Sequence, residues 1–239
     1  MTANTGYHQT RFEYDKRRET LWRSLYDFYF KRWIRKDDCV LELGAGYGHF
    51  INNIEARRRI ALDIWSEMPN YLQPGIESHV GSVTDLSFLQ DGSVDFAFAS
   101  NLFEHITRDD LAAVVHQLKN KLTEQGLLCL LQPNYRYAYK EYFDDYTHIT
   151  VYSHLAMCDF LRSCGYEIVE CVPKFTPLTV KSRFRISRIP IWLYLHSPIK
   201  LLGKQMLIIA RPLRPSAGQW AGPNVASNLG NQTTSQFRL

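Results

Sequence analysis

Short apolar runs alternate along the chain with segments in which apolar residues recur at helical spacing. Residues 11–35 read as a helix, with Phe12, Leu21, Leu25, Phe28 and Tyr29 on one face and charges between them. Cys39-Val-Leu-Glu-Leu43 is a short apolar strand that ends in glycines, and residues 47–57 read as the helix after it. A second strand, 59–62, closes at Asp63; 79–82 makes a weak third and 94–100 a strong fourth. Helical spacing returns at Leu111, Val114, Val115, Leu118 and Leu122. The fifth strand, 126–132, is apolar throughout, as a strand covered on both faces would be. Ser153 suits the N-cap of a helix that ends near Cys164, with Gly165 as its stop. Strands at 166–172 and 204–210 complete a set of seven.

Strands alternating with helices of this length predict an α/β fold: a doubly wound sheet with helices on both faces. Residues 1–36 read as an N-terminal helical segment and 37–212 as the main domain. No clear helix separates the last two strands, so 173–203 reads as an irregular insertion, basic and apolar by turns. Residues 213–239 are rich in Ser, Gly, Asn, Gln and Thr, a composition that predicts a disordered tail.

Composition sharpens this reading. With 239 residues, 45% hydrophobic and 22% charged, the chain can bury one ordinary core. It has no apolar run long enough to span a bilayer and no apolar leader, and its five cysteines form no CxxC pair. A cytoplasmic protein with reduced thiols is therefore expected, and no metal site. The net charge of +4 hides an asymmetry. From Cys171 onward there are ten basic residues and no acid, which leaves 18 basic against 24 acidic residues before it. A short basic stretch beside an acidic body argues against nucleic acid as a partner, because duplex binders present a broad positive face.

The chemistry concentrates where the first two strands end. Glu42-Leu-Gly44-Ala45-Gly46-Tyr-Gly48 follows a strand, and glycines there allow a sharp turn and close backbone approach to a ligand. Asp63, 19 residues after Gly44, ends the next strand, where a carboxylate can accept hydrogen bonds from both hydroxyls of a ribose. A dinucleotide fingerprint would need glycine at 49, where His49 stands. Glu42 would repel a pyrophosphate but not a ligand carrying sulfonium and ammonium groups.

On these residues the chain resembles the class I methyltransferases that use S-adenosylmethionine (SAM), over roughly 40–210. The resemblance implies a seven-stranded Rossmann-like sheet with the last strand antiparallel, and SAM as cofactor. Gly44, Ala45 and Gly46 would lie against its methionine part, with Glu42 balancing the ammonium. Asp63 would hold the ribose and Ile64 cover the adenine. Gly81-Ser82-Val83 stands where the family often has Gly-Asp-Ala, so Ser82 and Val83, or alternatively Asp85, would meet the adenine edge. Asn101 would lie near the methionine amino group. Glu104-His105 completes a Glu-His pattern of one subgroup and reads as a helix-opening hydrogen-bond pair.

Residues 134–152 hold six tyrosines with Asp144, Asp145 and His148, and follow the fifth strand at the ligand-binding edge of such a sheet. The Asp145–His148 piece is similar to bacterial methyltransferases of sugars, polysaccharides and secondary metabolites. His148 is the candidate general base for a hydroxyl acceptor, oriented by Asp145 or Asp144; the alternative is that it ties this loop to the helix at Ser153. Transfer to nitrogen or carbon, or a non-catalytic interaction protein on the same fold, are the competing functions. The basic and apolar stretch 181–202 suits a cap over the site, a homodimer contact or a peripheral contact with the inner membrane face.

Overall fold

The computed structural model describes residues 14–177, 187–200 and 202–214. Seven strands form one sheet: β1 (Cys39–Leu43), β2 (Arg58–Asp63), β3 (Glu77–Val80), β4 (Val94–Ser100), β5 (Leu122–Pro133), β6 (Tyr166–Thr176) and β7 (Gln205–Pro212). Their order is β3-β2-β1-β4-β5-β7-β6. The first five run parallel, and β7 lies antiparallel to both β5 and β6. The sheet has the strand number and the antiparallel last strand that the sequence led us to expect.

Side chains alternate across the sheet and divide the core in two. Leu41, Ala97, Leu128, Leu130 and Ile208 pack on one face under α2 (Arg108–Lys121) and α4 (His154–Ser163). Val40, Phe96, Phe98, Cys129 and Ile209 pack on the other, under α1 (Arg17–Phe28). The N-terminal helix is thus part of the core: Trp22, Leu25 and Tyr26 are buried, and Phe50 stacks on Phe98 at 3.9 Å between ring centres. Thr107 caps α2 by accepting from the Asp110 N–H, and Ser153 caps α4 by accepting from the Ala156 N–H. Gly165, at φ +78°, stops α4 as expected.

Three local expectations fail. Residues 47–57 form no α-helix, only turns and one 3-10 turn at Ile51–Asn53. Gly48 at φ +65° lies outside the helical region, and the Asn52 and Asn53 side chains donate to the backbone carbonyls of Tyr71 and His49. The third strand sits two residues earlier than expected, at Glu77–Val80. The insertion before β7 contains a nine-residue helix, α5 (Arg188–His196). It packs on α1, where Arg188 pairs with Asp27 at 2.8 Å. Lys181, Arg183 and Arg185 of that insertion, and residues 215–239 of the expected tail, lie outside the described residues.

Candidate active site

The carboxyl ends of β1, β2 and β4 meet at one edge, and the two sequence motifs meet there. The Gly44 and Ala45 N–H groups donate to the Leu62 carbonyl at 2.8 and 3.2 Å. Asp63 Oδ2 accepts from the Gly46 N–H at 2.7 Å, and Oδ1 from the Trp65 N–H at 2.8 Å. Gly44, Gly46 and Gly48 all have positive φ, and a Cβ on Gly44 would stand 2.9 Å from Leu102 Cδ1. The positive φ favours glycine at Gly44, and a Cβ there would have to displace the end of the Leu102 side chain. Glu42 is buried beneath the turn, where Oε2 accepts from the Ile51 N–H at 3.0 Å. Burial pushes its carboxyl well above the ordinary carboxylate range.

Beyond this turn the edge offers apolar ledges. Ile64 and Val80, at the ends of β2 and β3, are 61% and 52% exposed. Ser82 Oγ lies 2.7 Å from Thr84 Oγ1, Asp85 Oδ1 accepts from the Ser87 N–H, and Val83 is buried in the core. Asn101, at φ +49°, follows β4 and accepts from Gln205 Nε2 of β7 at 2.6 Å. An aromatic group that sequence reasoning missed lies against the glycine turn. Tyr47 meets Trp65 and Tyr71 edge-on at 4.9 and 4.7 Å, and Tyr14 stacks on His49 and Tyr71. Its signal was the aromatics beside both motifs, at 47 and 65. Burial lowers His49 to about 4, so that ring is neutral at physiological pH.

A second constellation joins the β4 exit to the tyrosine-rich segment. The latter includes the single turn α3 (Tyr135–Ala138) and a 3-10 turn at Tyr142–Asp144. The Ile149 and Thr150 N–H groups donate to the Glu104 carbonyl, and Thr150 Oγ1 donates to the Phe103 carbonyl. Glu104, His105 and His148 come together, with a ligating-type atom from each inside 4.8 Å of the others. The Tyr142 carbonyl lies 2.5 Å from His148 Nδ1. Asp145 Oδ1 accepts from Thr147, from its N–H at 3.0 Å and its hydroxyl at 2.6 Å. That short Asp-x-Thr turn uses the carboxylate locally, and it acts on the two imidazoles through its charge. Burial raises the Asp145 carboxyl, but the Thr147 hydrogen bonds and the histidines hold it below its ordinary value.

Glu104 also departs from expectation. It opens no helix, a task Thr107 performs, and its side chain is fully buried with neither carboxylate oxygen hydrogen bonded among the described residues. Burial pushes it up to about 8, and burial followed by the nearby His148 lowers His105 to about 4. Of the six tyrosines, Tyr142 and Tyr152 are core residues, whereas Tyr139 and Tyr146 are exposed with Phe143 and Ile149. An open groove lined by Tyr137, Pro173, Lys174, Ile199 and Lys200 runs beside this segment.

A methyltransferase-domain family model matches residues 14–171. Among curated proteins, no sequence matches. Solved structures share the architecture. A SAM-dependent methyltransferase from Archaeoglobus fulgidus is 20% identical with a TM-score of 0.62, covering 81% of this chain and 94% of that one. A possible histamine N-methyltransferase from Thermotoga maritima is 18% identical with a TM-score of 0.59, covering 82% and 90%. The geranyl diphosphate C-methyltransferase of Streptomyces coelicolor, in complex with Mg2+, geranyl diphosphate and S-adenosyl-L-homocysteine, is 13% identical with a TM-score of 0.57, covering 81% and 77%. At these identities the likeness is one of fold, and its acceptors differ from one protein to the next. The family match extends from before α1 into β6, spanning both halves of the site, and the chain belongs to the methyltransferase-domain family.

Proposed function

We propose that this chain is a SAM-dependent methyltransferase that methylates an oxygen, a hydroxyl of a sugar, polysaccharide or secondary metabolite. The observation that carries the cofactor is the junction of the two motifs, with the Asp63 carboxylate clamped on the Gly46 N–H beside a turn built on glycines at positive φ. SAM fits these residues. Each Asp63 oxygen keeps a second lone pair for a ribose hydroxyl, and Ile64 offers an apolar face to adenine. Ser82 and Val83, or Asp85, border the adenine edge. Glu42 supplies the negative charge that suits an ammonium, with Asn101 beside it and Gly44, Ala45 and Gly46 as the floor.

The bound sulfonium supplies an activated methyl. The chain's own part is to align the acceptor oxygen, exclude water and deal with the hydroxyl proton. That last need favours oxygen as the acceptor atom, because the tyrosine-rich segment brings His148 to the β4 exit that carries His105 and Glu104. Exposed Tyr139, Tyr146 and Phe143 give a sugar ring faces to pack on and hydroxyls to bond. His148 is the residue on which turnover depends: His148→Gln lowers kcat at least about a hundredfold at saturating acceptor and leaves SAM affinity intact. An unchanged kcat refutes its role. Calorimetry tests the cofactor separately, with SAM binding and NAD not binding as the expected result.

The same reading puts the acceptor at a membrane face, with the chain cytoplasmic and peripheral. Ile189, Trp192, Leu193 and His196 of α5 follow the helical spacing of one face, and all four are exposed. Ile199 and Leu202 extend this apolar patch. Such a surface on a basic, acid-free segment suits a lipid-linked saccharide as acceptor.

A further inference from the structure

We infer that Glu104, His105 and His148 form a site for a divalent first-row metal ion, which activates the acceptor hydroxyl; the acceptor part of this inference rests on the methyl transfer proposed above. The Thr147 hydroxyl donates to Asp145 Oδ1 at 2.6 Å, so its oxygen is left to accept from His105 Nδ1 at 2.9 Å. The Tyr142 carbonyl can only accept, so His148 Nδ1 carries a proton as well. In the neutral form of either ring the lone pair therefore sits on Nε2. His105 Nε2 lies 3.9 Å from Glu104 Oε1, too far for a hydrogen bond. Two imidazoles and the fully buried Glu104 carboxyl, whose oxygens have no hydrogen-bond partner among the described residues, are gathered within 4.8 Å. A cation there would give the buried Glu104 oxygens the partner they lack among the described residues.

The surroundings fit the same reading. Histidines that ligate a metal commonly donate their other nitrogen to a carbonyl or to a carboxylate-linked group. Here His148 uses the Tyr142 carbonyl, and His105 uses the Thr147–Asp145 relay. Two imidazoles and one carboxylate on one side of an ion leave further positions open, and this donor set suits Mn2+, Fe2+, Co2+ or Zn2+. Ligands about 2.1 Å from a common ion stand within about 4.2 Å of one another, so the observed 4.8 Å spread closes with side-chain shifts of under about 1 Å. An acceptor hydroxyl entering an open position is acidified by the ion. Its proton leaves to solvent, its oxygen forms the bond to the methyl carbon as the carbon–sulfur bond breaks, and S-adenosylhomocysteine departs. His148 then serves transfer through the ion.

Mn2+ is the probe, because its hardness disfavours the five thiols, and loss of the free-ion paramagnetic resonance signal reports binding. The full chain is expected to bind one Mn2+. Glu104→Gln and His148→Gln each weaken binding at least about tenfold. Circular dichroism on each variant shows that it is folded. No Mn2+ binding at millimolar concentration, or equal binding by wild type and both folded variants, overturns the metal site. Because the readout needs neither SAM nor an acceptor, it fails or succeeds separately from the methyltransferase reading.

Discussion

Glu42 is almost wholly enclosed and accepts a hydrogen bond from the Ile51 backbone N–H. A carboxyl whose value is raised by folding contributes stability that is fully present below its unfolded value, near 4.5, and lost as the pH rises through the folded one. Glu42 is therefore expected to withdraw stability from the ligand-free protein over the pH interval above about 4.5. Glu42→Gln keeps an oxygen for the Ile51 N–H and removes that titration, so its melting temperature falls less across the same interval. Parallel slopes for the two proteins would show that Glu42 does not carry the effect. Under the proposed reading, the ammonium of SAM restores the carboxylate form, so SAM binding should release protons. The same substitution abolishes this release, which calorimetry in buffers of different ionisation enthalpy measures.

The segment between β1 and β2 separates two physical accounts of the same residues. If 47–57 were helical, Gly48→Ala would stabilise the protein by about 1 kcal/mol through helix propensity. In the observed conformation Gly48 has φ +65°, and a Cβ would meet Leu72 Cδ2 at 2.6 Å. Gly48→Ala is then expected to destabilise by roughly 1–3 kcal/mol, read as a lower melting temperature. The strands were legible because apolar runs bounded by turn residues need no distant partner to be recognised. The first two motifs were legible because parallel strands bring their carboxyl ends to one edge whatever the loops do. The failed helix was not, because Asn52 and Asn53 choose backbone partners at Tyr71 and His49 that periodicity cannot reveal. Glu104 and His148 were not seen as one group for the same reason. They are 44 positions apart, and hydrogen bonds from Ile149 and Thr150 to the Glu104 carbonyl bring them together.

At the scale of the molecule, positive charge and apolar exposure both concentrate in the chain from β6 onward. Ten basic residues and no acid follow Glu170, the last carboxylate side chain in the sequence. Among the described residues no helix is long and apolar enough to cross a membrane, so any contact made by α5 is interfacial. Its inner side is held: Leu195 packs against the core beneath α1, and Arg188 grips Asp27. Its outer side presents Trp192, a residue whose amphipathic ring suits the headgroup level. The protein is therefore expected to sediment with vesicles containing anionic phosphatidylglycerol more than with neutral phosphatidylcholine. Binding should weaken as salt rises, because the attraction of the basic segment is screened over about 10 Å at 0.1 M ionic strength. Trp192→Glu places a charge on the apolar patch without touching the Arg188–Asp27 pair, and is expected to abolish sedimentation while SAM binding stays unchanged. If the wild-type chain stays in the supernatant with anionic vesicles at low salt, the patch serves another surface and the acceptor need not be lipid-linked.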